Sequence, residues 1–300
     1  MKEILMSKIA VIRPGAVGDV IMILNSVIKL KENSDVTIFC ADPVLSVIKE
    51  FVNKNGICKI APLEQYNSAS FDKTIHALGY PVCEGYPNIR MKRHLLEYFA
   101  KEMEVDFSFN NLNLSLPSFP TKIKNRDYPK HITVHNKTGW SVYKEWWGWQ
   151  QLVDMIKQKM PDIEIYQIGG PNDPQISNID GSFCGDPFEY NLAAQAWADM
   201  HLGLDSVFNH TTNINWIGKG KTKGVILFGS TQANASGYPH NANISLGLAC
   251  QPCFKEDPKI SRVSLGLCEN PPNQTYDNPQ HACMKSITPE MVFDKIKILK

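Results

Sequence analysis

The feature that most constrains this chain is an alternation. Short apolar runs of strand length are followed repeatedly by segments with a 3.6-residue apolar period. The run Ile9 to Ile12 precedes a helical pattern carrying Val20, Ile23, Leu24, Val27 and Ile28 on one face. Val36 to Cys40 precedes a second pattern, from Pro43 to Asn53. A short strand is expected near Thr74 to Ala77, and a helix from Arg90 to Met103 leads into "VDFSF". Strand–helix–strand order of this kind predicts a parallel sheet covered by helices on both faces.

The rhythm breaks once. "NLSLPSFPTKIKNRDYPK", from Asn113 to Lys130, holds three prolines and a basic cluster without a helical period, and it reads as an interdomain linker. The alternation then restarts with "HITVH", a helix over Trp149 to Met160, "EIYQIGG" and "GVILFGS". A last helix opens with Thr288 as its N-cap and Pro289 in its first position. Three hundred residues suit two domains of about 150 each. The expected division is an N-terminal domain over residues 1–125 and a C-terminal domain over 126–300.

A formal net charge of +1 removes any global pull toward nucleic acid or anionic membrane. Two basic stretches, Lys122 to Arg126 and Lys219 to Lys223, read as solvated loop charge. The first residues lack a leader pattern, and no stretch approaches the roughly 18 apolar residues that span a bilayer. The expectation is a cytoplasmic protein whose eight cysteines act as thiols or metal ligands rather than disulfides. Cys40, Cys58, Cys83 and Cys184 sit in apolar surroundings and read as small buried residues.

Chemistry concentrates in four places. In "RPGAVGD", Gly15 and Gly18 fill two positions of a dinucleotide-binding turn, but Arg13 stands where its first glycine belongs, and Asp42 could serve as its ribose acid. Asp19 sits where the turn becomes a helix. A helix start favours a negative charge, so Asp19 is either a helix cap or a general base at a sheet edge. In "HNKTGWSVYKEWWGWQQLV" a polar loop after a strand offers Lys137, Thr138 and Lys144 to a ligand. Of Trp146, Trp147 and Trp149, at least two are expected to pack the following helix onto the sheet. In "LGLDSVFNHTTNINWIGKG", Asp205 and Ser206 form a turn into a helix with His210 one turn in, either an N-cap with a surface histidine or a diphosphate site.

The fourth place is the cysteine set. Cys250 and Cys253 form C-x-x-C, with Cys268 and Cys283 following at 14-residue intervals. Four thiolates with one tight pair suit a structural tetrahedral site for zinc or iron, with His281 a possible replacement for one of them. The intervening residues, rich in Pro, Asn and Asp, would gain order from such a staple.

Taken in order, these segments resemble family nine glycosyltransferases, the lipopolysaccharide heptosyltransferase type, over nearly the whole chain. The opening strand–turn–Gly-Asp–helix, the Lys-x-Trp loop, the Gly-Gly strand end, "DSVFNH", "FGST" and the cysteine-bearing tail are each similar to a family element in register. The resemblance implies an α/β GT-B architecture, two Rossmann-like domains facing across a cleft, with the final helix packing back toward the first domain. It implies an inverting transfer from a nucleotide-diphosphate sugar, ADP-heptose-like by analogy, to an acceptor hydroxyl. Asp19 matches the base. Lys144 matches the lysine that neutralises the diphosphate. Asp205, Ser206, His210, Gly229 and Thr231 match the donor-binding elements, with Gly18, Lys137 and Thr138 beside them. The four cysteines are similar to a set that holds iron in autotransporter-protein heptosyltransferases.

The chain departs from the family at Val207, where glycine is usual, and in the longer basic run "WIGKGKTKG", whose Lys219 or Lys221 could take over part of a phosphate contact. It also lacks the proline that commonly follows Gly-Asp. The acceptor stays open among a glycan, a protein and a modified nucleic-acid base, and an oligomer is compatible with the sequence. Two other classes also remain: a nucleotide-dependent oxidoreductase and a non-enzymatic module that docks a partner through the thiol–metal site.

Overall fold

The computed structural model describes residues 6–78, 93–123, 130–139, 144–248, 251 and 282–297. The apolar runs at 9–12 and 36–40 form the centre of the first sheet. Its strands are β1 (Ser7–Ile12), β2 (Ser34–Cys40), β3 (Lys59–Pro62) and β4 (Lys73–His76), in the order β3-β2-β1-β4. Every pairing is parallel, with Ile9 opposite Val36 and Lys73. Helix α1 (Val17–Lys31) crosses this sheet with Val20 to Leu24 and Val27 buried, as its period predicts. Helices α2 (Asp42–Lys54) and α3 (Leu95–Glu102) complete its cover.

The segment expected to be a linker is partly ordered as strand. β5 (Asn113–Ser115) pairs in parallel with β10 (Asn215–Ile217), and the two form a sheet of their own. "VDFSF", by contrast, forms no strand. The second large sheet takes β6 (His131–Val134), β7 (Glu164–Gln167), β8 (Gly181–Ser182), β9 (Met200–Leu204), β11 (Lys223–Leu227) and β12 (Ala242–Ile244). Their order is β12-β11-β9-β6-β7-β8, parallel throughout. The helices between and after them are α4 (Trp149–Lys159), α5 (Phe188–Trp197), α6 (Val207–Thr211), α7 (Ala233–Ser236), α8 (Ala282–Lys285) and α9 (Pro289–Ile296).

Thr288 caps α9 by accepting a hydrogen bond from the Met291 N–H at 3.3 Å, and Pro289 takes the first helical position. The recorded packing of α9 differs from the expected return to the first half. Val292, Phe293 and Ile296 join a core with Leu152, Val153 and Ile156 of α4 and Val225 and Leu227 of β11.

The two halves share apolar packing. Leu192, Ala196, Ile214, Trp216 and Tyr238 from the second half belong to the same core cluster as Val20, Leu24, Phe51 and Phe99 from the first. The Phe51 and Phe188 rings meet edge-on at 6.0 Å. Polar links run alongside: the Asn215 N–H donates to the Leu112 carbonyl at 2.9 Å and the Trp197 indole to the Pro117 carbonyl at 2.7 Å.

The basic run after α6 is not solvated charge at its two central lysines. Lys219 Nζ donates to the Ala198 carbonyl at 2.7 Å. Lys221 Nζ donates to the Phe109 carbonyl at 2.8 Å and to Asn213 Oδ1 at 2.7 Å, tying the halves together. Burial pushes both amines down to about 8. Both amines thus already hydrogen-bond within the chain. In the other basic stretch, Lys122 pairs with Asp186 and lies over the Phe183 ring.

Among the other cysteines, Cys40 is buried and Cys58 and Cys184 are half-buried. Burial pushes the Cys40 thiol up to about 11 and the Cys58 thiol up to about 12, as expected of inert packing residues. Cys83 lies outside the described residues.

Candidate active site

In a parallel sheet the loops after the strands collect at one edge, where α/β proteins bind ligands. Asp19 follows β1, His135 follows β6, the Gly169-Gly170 turn follows β7, Asp205 follows β9 and the "FGST" turn follows β11. The packing of α1 on α6 brings the first of these edges to the second.

Asp19 occupies the third residue of α1. The N-cap is Ala16, which has no side-chain cap bond, so Asp19 is not the cap. Its carboxylate pairs with Arg13, the residue that stands in place of the dinucleotide-loop glycine. The Arg13 guanidinium also donates to the carbonyls of Gly15 at 3.2 Å, Ala77 at 3.0 Å and Leu78 at 2.7 Å. Sequence reading missed this role of Arg13. The available signal was a long cation at a position where the backbone turn calls for no side chain.

Gly18 is where α1 meets α6. A Cβ there would stand 2.8 Å from Cδ2 of His210 and 3.5 Å from Cα of Val207. The space at Gly18 is therefore taken by His210, whereas a Cβ at Gly15 would meet nothing within 4 Å. His210 is buried and its Nδ1 lies 3.1 Å from the Tyr238 hydroxyl. Burial lowers its pKa even though Asp205 and Asp19 both act to raise it.

The second-half side of the site is a closed polar network around Asp205. Lys144 Nζ donates to Asp205 Oδ2 at 2.8 Å and to its carbonyl at 3.2 Å. The Thr231 hydroxyl donates at 2.6 Å, the Ser236 hydroxyl at 3.0 Å and Asn209 Nδ2 at 3.4 Å. Burial alone would raise the pKa of Asp205; Lys144, His210 and the hydrogen bonds outweigh it and hold the carboxyl below the usual carboxylate range. The lysine expected to stand ready for a diphosphate thus already carries an intramolecular partner, using two of its three N–H donors.

Ser206 precedes α6 but makes no side-chain cap bond. Its hydroxyl lies 3.0 Å from His135 Nδ1, and the Nε2 of that ring faces Asp173 at 3.5 Å. Asp173 accepts from the Gly170 N–H at 2.9 Å inside the Gly169-Gly170 turn, where Gly169 adopts φ +154°. A Cβ at Gly169 would collide with the Asp173 carboxylate, so glycine is required there.

Lys137 pairs with Glu145, and Thr138 is buried. Gly229 presents its carbonyl to Gln251 Nε2 at 2.7 Å. The tryptophans divide as expected. Trp146 and Trp149 are buried and meet edge-on at 5.0 Å, with the Trp146 indole donating to the Ile287 carbonyl. Trp147 is exposed, and its indole donates to the Lys285 carbonyl.

His94, before α3, completes the junction. Its ring lies 5.0 Å from both Phe109 and Tyr238. Burial and the neighbouring His210 push its pKa down to about 3.

Of the cysteine set, Cys250, Cys253 and Cys268 lie outside the described residues, as does His281. Cys283 is buried on α8. Among the described residues no group of three or more His, Cys, Asp or Glu side chains is arranged to hold a metal ion. Gln251, between the cysteines of the C-x-x-C pair, binds the Phe228 and Gly229 carbonyls and accepts from the Leu248 N–H. No described helix is long and apolar enough to cross a membrane.

Two parallel α/β sheets, with their carboxyl edges brought together by helix packing, make a GT-B fold. Several solved structures share it. The iron-containing dodecameric glycosyltransferase TibC from enterotoxigenic E. coli H10407 is similar over 98% of this chain and 76% of its own, at TM-score 0.69 and 14% identity. The family 9 glycosyl transferase from Veillonella parvula is similar over 98% and 97%, at 0.66 and 13%. E. coli ADP-heptose lps heptosyltransferase II is similar over 97% and 98%, at 0.66 and 12%. TibC has also been solved with ADP-D-beta-D-heptose. No family model matches the chain, and no curated protein matches its sequence.

Proposed function

We propose that this chain is a glycosyltransferase that moves a sugar from a nucleotide-diphosphate sugar to an acceptor hydroxyl with inversion. The observation that carries this reading is a half-buried carboxylate, Asp19, held by a cation at the edge of the first sheet. It lies beside His210 of the second half and near the Asp205–Lys144 network. In this reading residues 1–125 take the acceptor and residues 126–300 the donor.

Asp19 accepts the proton of the acceptor hydroxyl while that oxygen attacks the anomeric carbon. The bond from that carbon to the diphosphate oxygen breaks on the opposite face. Lys144, fixed by Asp205 and with one N–H uncommitted among the described residues, meets the growing charge on the leaving diphosphate. Thr231 and Ser236 act by holding Asp205, and Ser206 enters the donor site from His135. The donor class is supported by the structural likeness to TibC, which has been solved in complex with ADP-D-beta-D-heptose. An adenosine diphosphate sugar is therefore the first to test.

The dinucleotide-oxidoreductase alternative is less well supported. A pyrophosphate seated on the first loop would meet the Asp19 carboxylate, and Asp42 lies exposed in the first turn of α2. A thermal-shift screen against nucleoside diphosphates, their sugars and NAD(P) separates the two. Ligand at 100 times its Kd stabilises the protein by about 2.7 kcal/mol. The proposal requires the largest shift from a diphosphate sugar, and a shift from NAD(P) alone would remove it.

The four cysteines complete the proposal as a structural zinc or iron site. Their chemistry, four thiols with one C-x-x-C pair, fits a tetrahedral ion. Metal analysis of the purified protein should find close to one ion per site, and a chelator should lower the melting temperature.

A further inference from the structure

We propose that Arg13 is the positioning residue of the base: it fixes the Asp19 carboxylate toward the cleft and keeps it from folding back onto its own helix. This rests on Asp19 being the base.

The argument starts from what Asp19 would do alone. A carboxylate at the third residue of a helix lies near the free N–H groups of the first turn and commonly reaches back to them. Here the N-cap is Ala16, whose side chain satisfies none of those groups, so that local alternative is open. Arg13 removes it. Its NH2 group takes Asp19 Oδ2, and Arg13 is the only side chain that hydrogen-bonds Asp19 among the described residues. The Asp19 side chain keeps 19% of its surface exposed, so part of the carboxylate still faces outward for a proton.

Arg13 can do this because it cannot itself move. Its Nε is held by the Gly15 carbonyl in the same loop, and its NH1 by the Ala77 and Leu78 carbonyls beyond β4. The guanidinium carbon lies 5.8 Å from the centre of the Phe99 ring on α3. Its backbone N–H donates to the Phe39 carbonyl, continuing the pairing of β1 with β2. Three separate parts of the chain therefore set the orientation of one planar fork, and a fork transmits orientation where a lysine transmits only charge. Arg13 stays protonated throughout and takes no proton itself; it acts through Asp19. The residue that spoils a dinucleotide fingerprint is the one a carboxylate in that loop requires.

The test uses ADP-heptose as the probe donor with water as acceptor, reading ADP release. Arg13→Met keeps an apolar stem on Phe99 and removes the fork. It should lower kcat on the order of 100-fold, the loss typical of a misplaced catalytic group, while KM for the donor stays within about threefold. In an Asp19→Asn background the same change should cost no more than about twofold, because the two residues act as one unit. Arg13→Lys serves if Arg13→Met does not fold, and it should lose most of kcat despite keeping the charge.

Wild-type kcat in a folded Arg13 variant would overturn the proposal. So would a loss confined to KM, or a full further loss in the Asp19→Asn background. If Asp19→Asn itself turns over normally, or the wild type releases no ADP, the base assignment fails first and this proposal falls with it. An inactive Asp19→Asn beside a fully active Arg13→Met would sink the positioning role alone.

Discussion

The two carboxylates of the candidate site, Asp19 and Asp205, are built in opposite ways. Asp205 is buried and receives hydrogen bonds from Lys144, Thr231, Ser236 and Asn209. Each of those donors arrives from a different part of the second half, and together with the charge of Lys144 and His210 they outweigh the cost of burial. Among the described residues Asp19 has a single side-chain partner, Arg13, and its side chain remains 19% exposed. A carboxylate whose lone pairs are all committed is a structural element that fixes its neighbours. One held at a single oxygen can still take a proton. The same residue type therefore serves as scaffold on one edge and as reactive group on the other, and the surroundings decide which.

The largest expected effect of breaking this contrast is on stability. Asp205→Ala leaves the Lys144 ammonium, only 18% exposed, without its counterion. Urea denaturation should show a loss of about 3–5 kcal/mol, the range for removing one partner of a buried pair; Asp19→Asn, which keeps an amide oxygen to accept from the buried Arg13 guanidinium, should lose less.

Next in size is the contact that brings the edges together. In Gly18→Ala the added methyl would meet His210 at 2.8 Å. Overpacking costs about 1–3 kcal/mol and helix propensity returns about 1, so the midpoint should fall by up to about 2 kcal/mol. Donor affinity should fall with it if His210 belongs to the donor pocket.

A pH titration of stability sharpens the comparison further. His94 is neutral in the folded state down to about pH 3, against an ordinary value of 6.5. Its folded pKa is depressed, so the unfolded chain binds the proton first. Stability is complete above pH 6.5 and falls between there and about pH 3, at up to about 1.4 kcal/mol per pH unit. His94→Asn keeps a capping side chain for α3 and should remove its own share of that limb, the rest coming from His131, His201, His210 and His240, which burial also holds below the ordinary value. Asp205 adds to the loss once pH falls below the ordinary carboxylate value of about 3.9, because the unfolded chain then takes the proton first.

The smallest effect belongs to Lys221→Met. It frees the Phe109 carbonyl from the second half and should cost about 1 kcal/mol, the net worth of a typical hydrogen bond.

Much of this was legible in the chain. The strand and helix periods placed β1, α1, β2, α2, β6, α4 and α9 closely, because each buries a continuous face that the apolar pattern records. The loops carrying Asp19, Lys144, Asp205 and Thr231 were found as strand ends. What the sequence did not show depends on contacts between distant segments. β5 and β10 have three residues each and pair across about a hundred positions, so neither has a period of its own. Lys219 and Lys221 looked like solvent or phosphate charges, but carbonyls from remote segments claim them. Arg13 looked like a defect because its acceptors, Ala77 and Leu78, lie more than sixty residues away. Gly18 reads as one glycine of a dinucleotide-type turn, and the space its missing Cβ leaves is filled by His210.

The central claim is that Asp19 takes the proton in a sugar transfer whose donor sits in the other half. The most direct measurement pairs two readings on Asp19→Asn: calorimetric affinity for ADP-heptose, and ADP release under saturating donor. The account predicts donor affinity within about threefold of wild type and turnover reduced about a hundred- to ten-thousand-fold, the usual contribution of a general base. Turnover near the wild-type rate by a variant that still binds donor would contradict it.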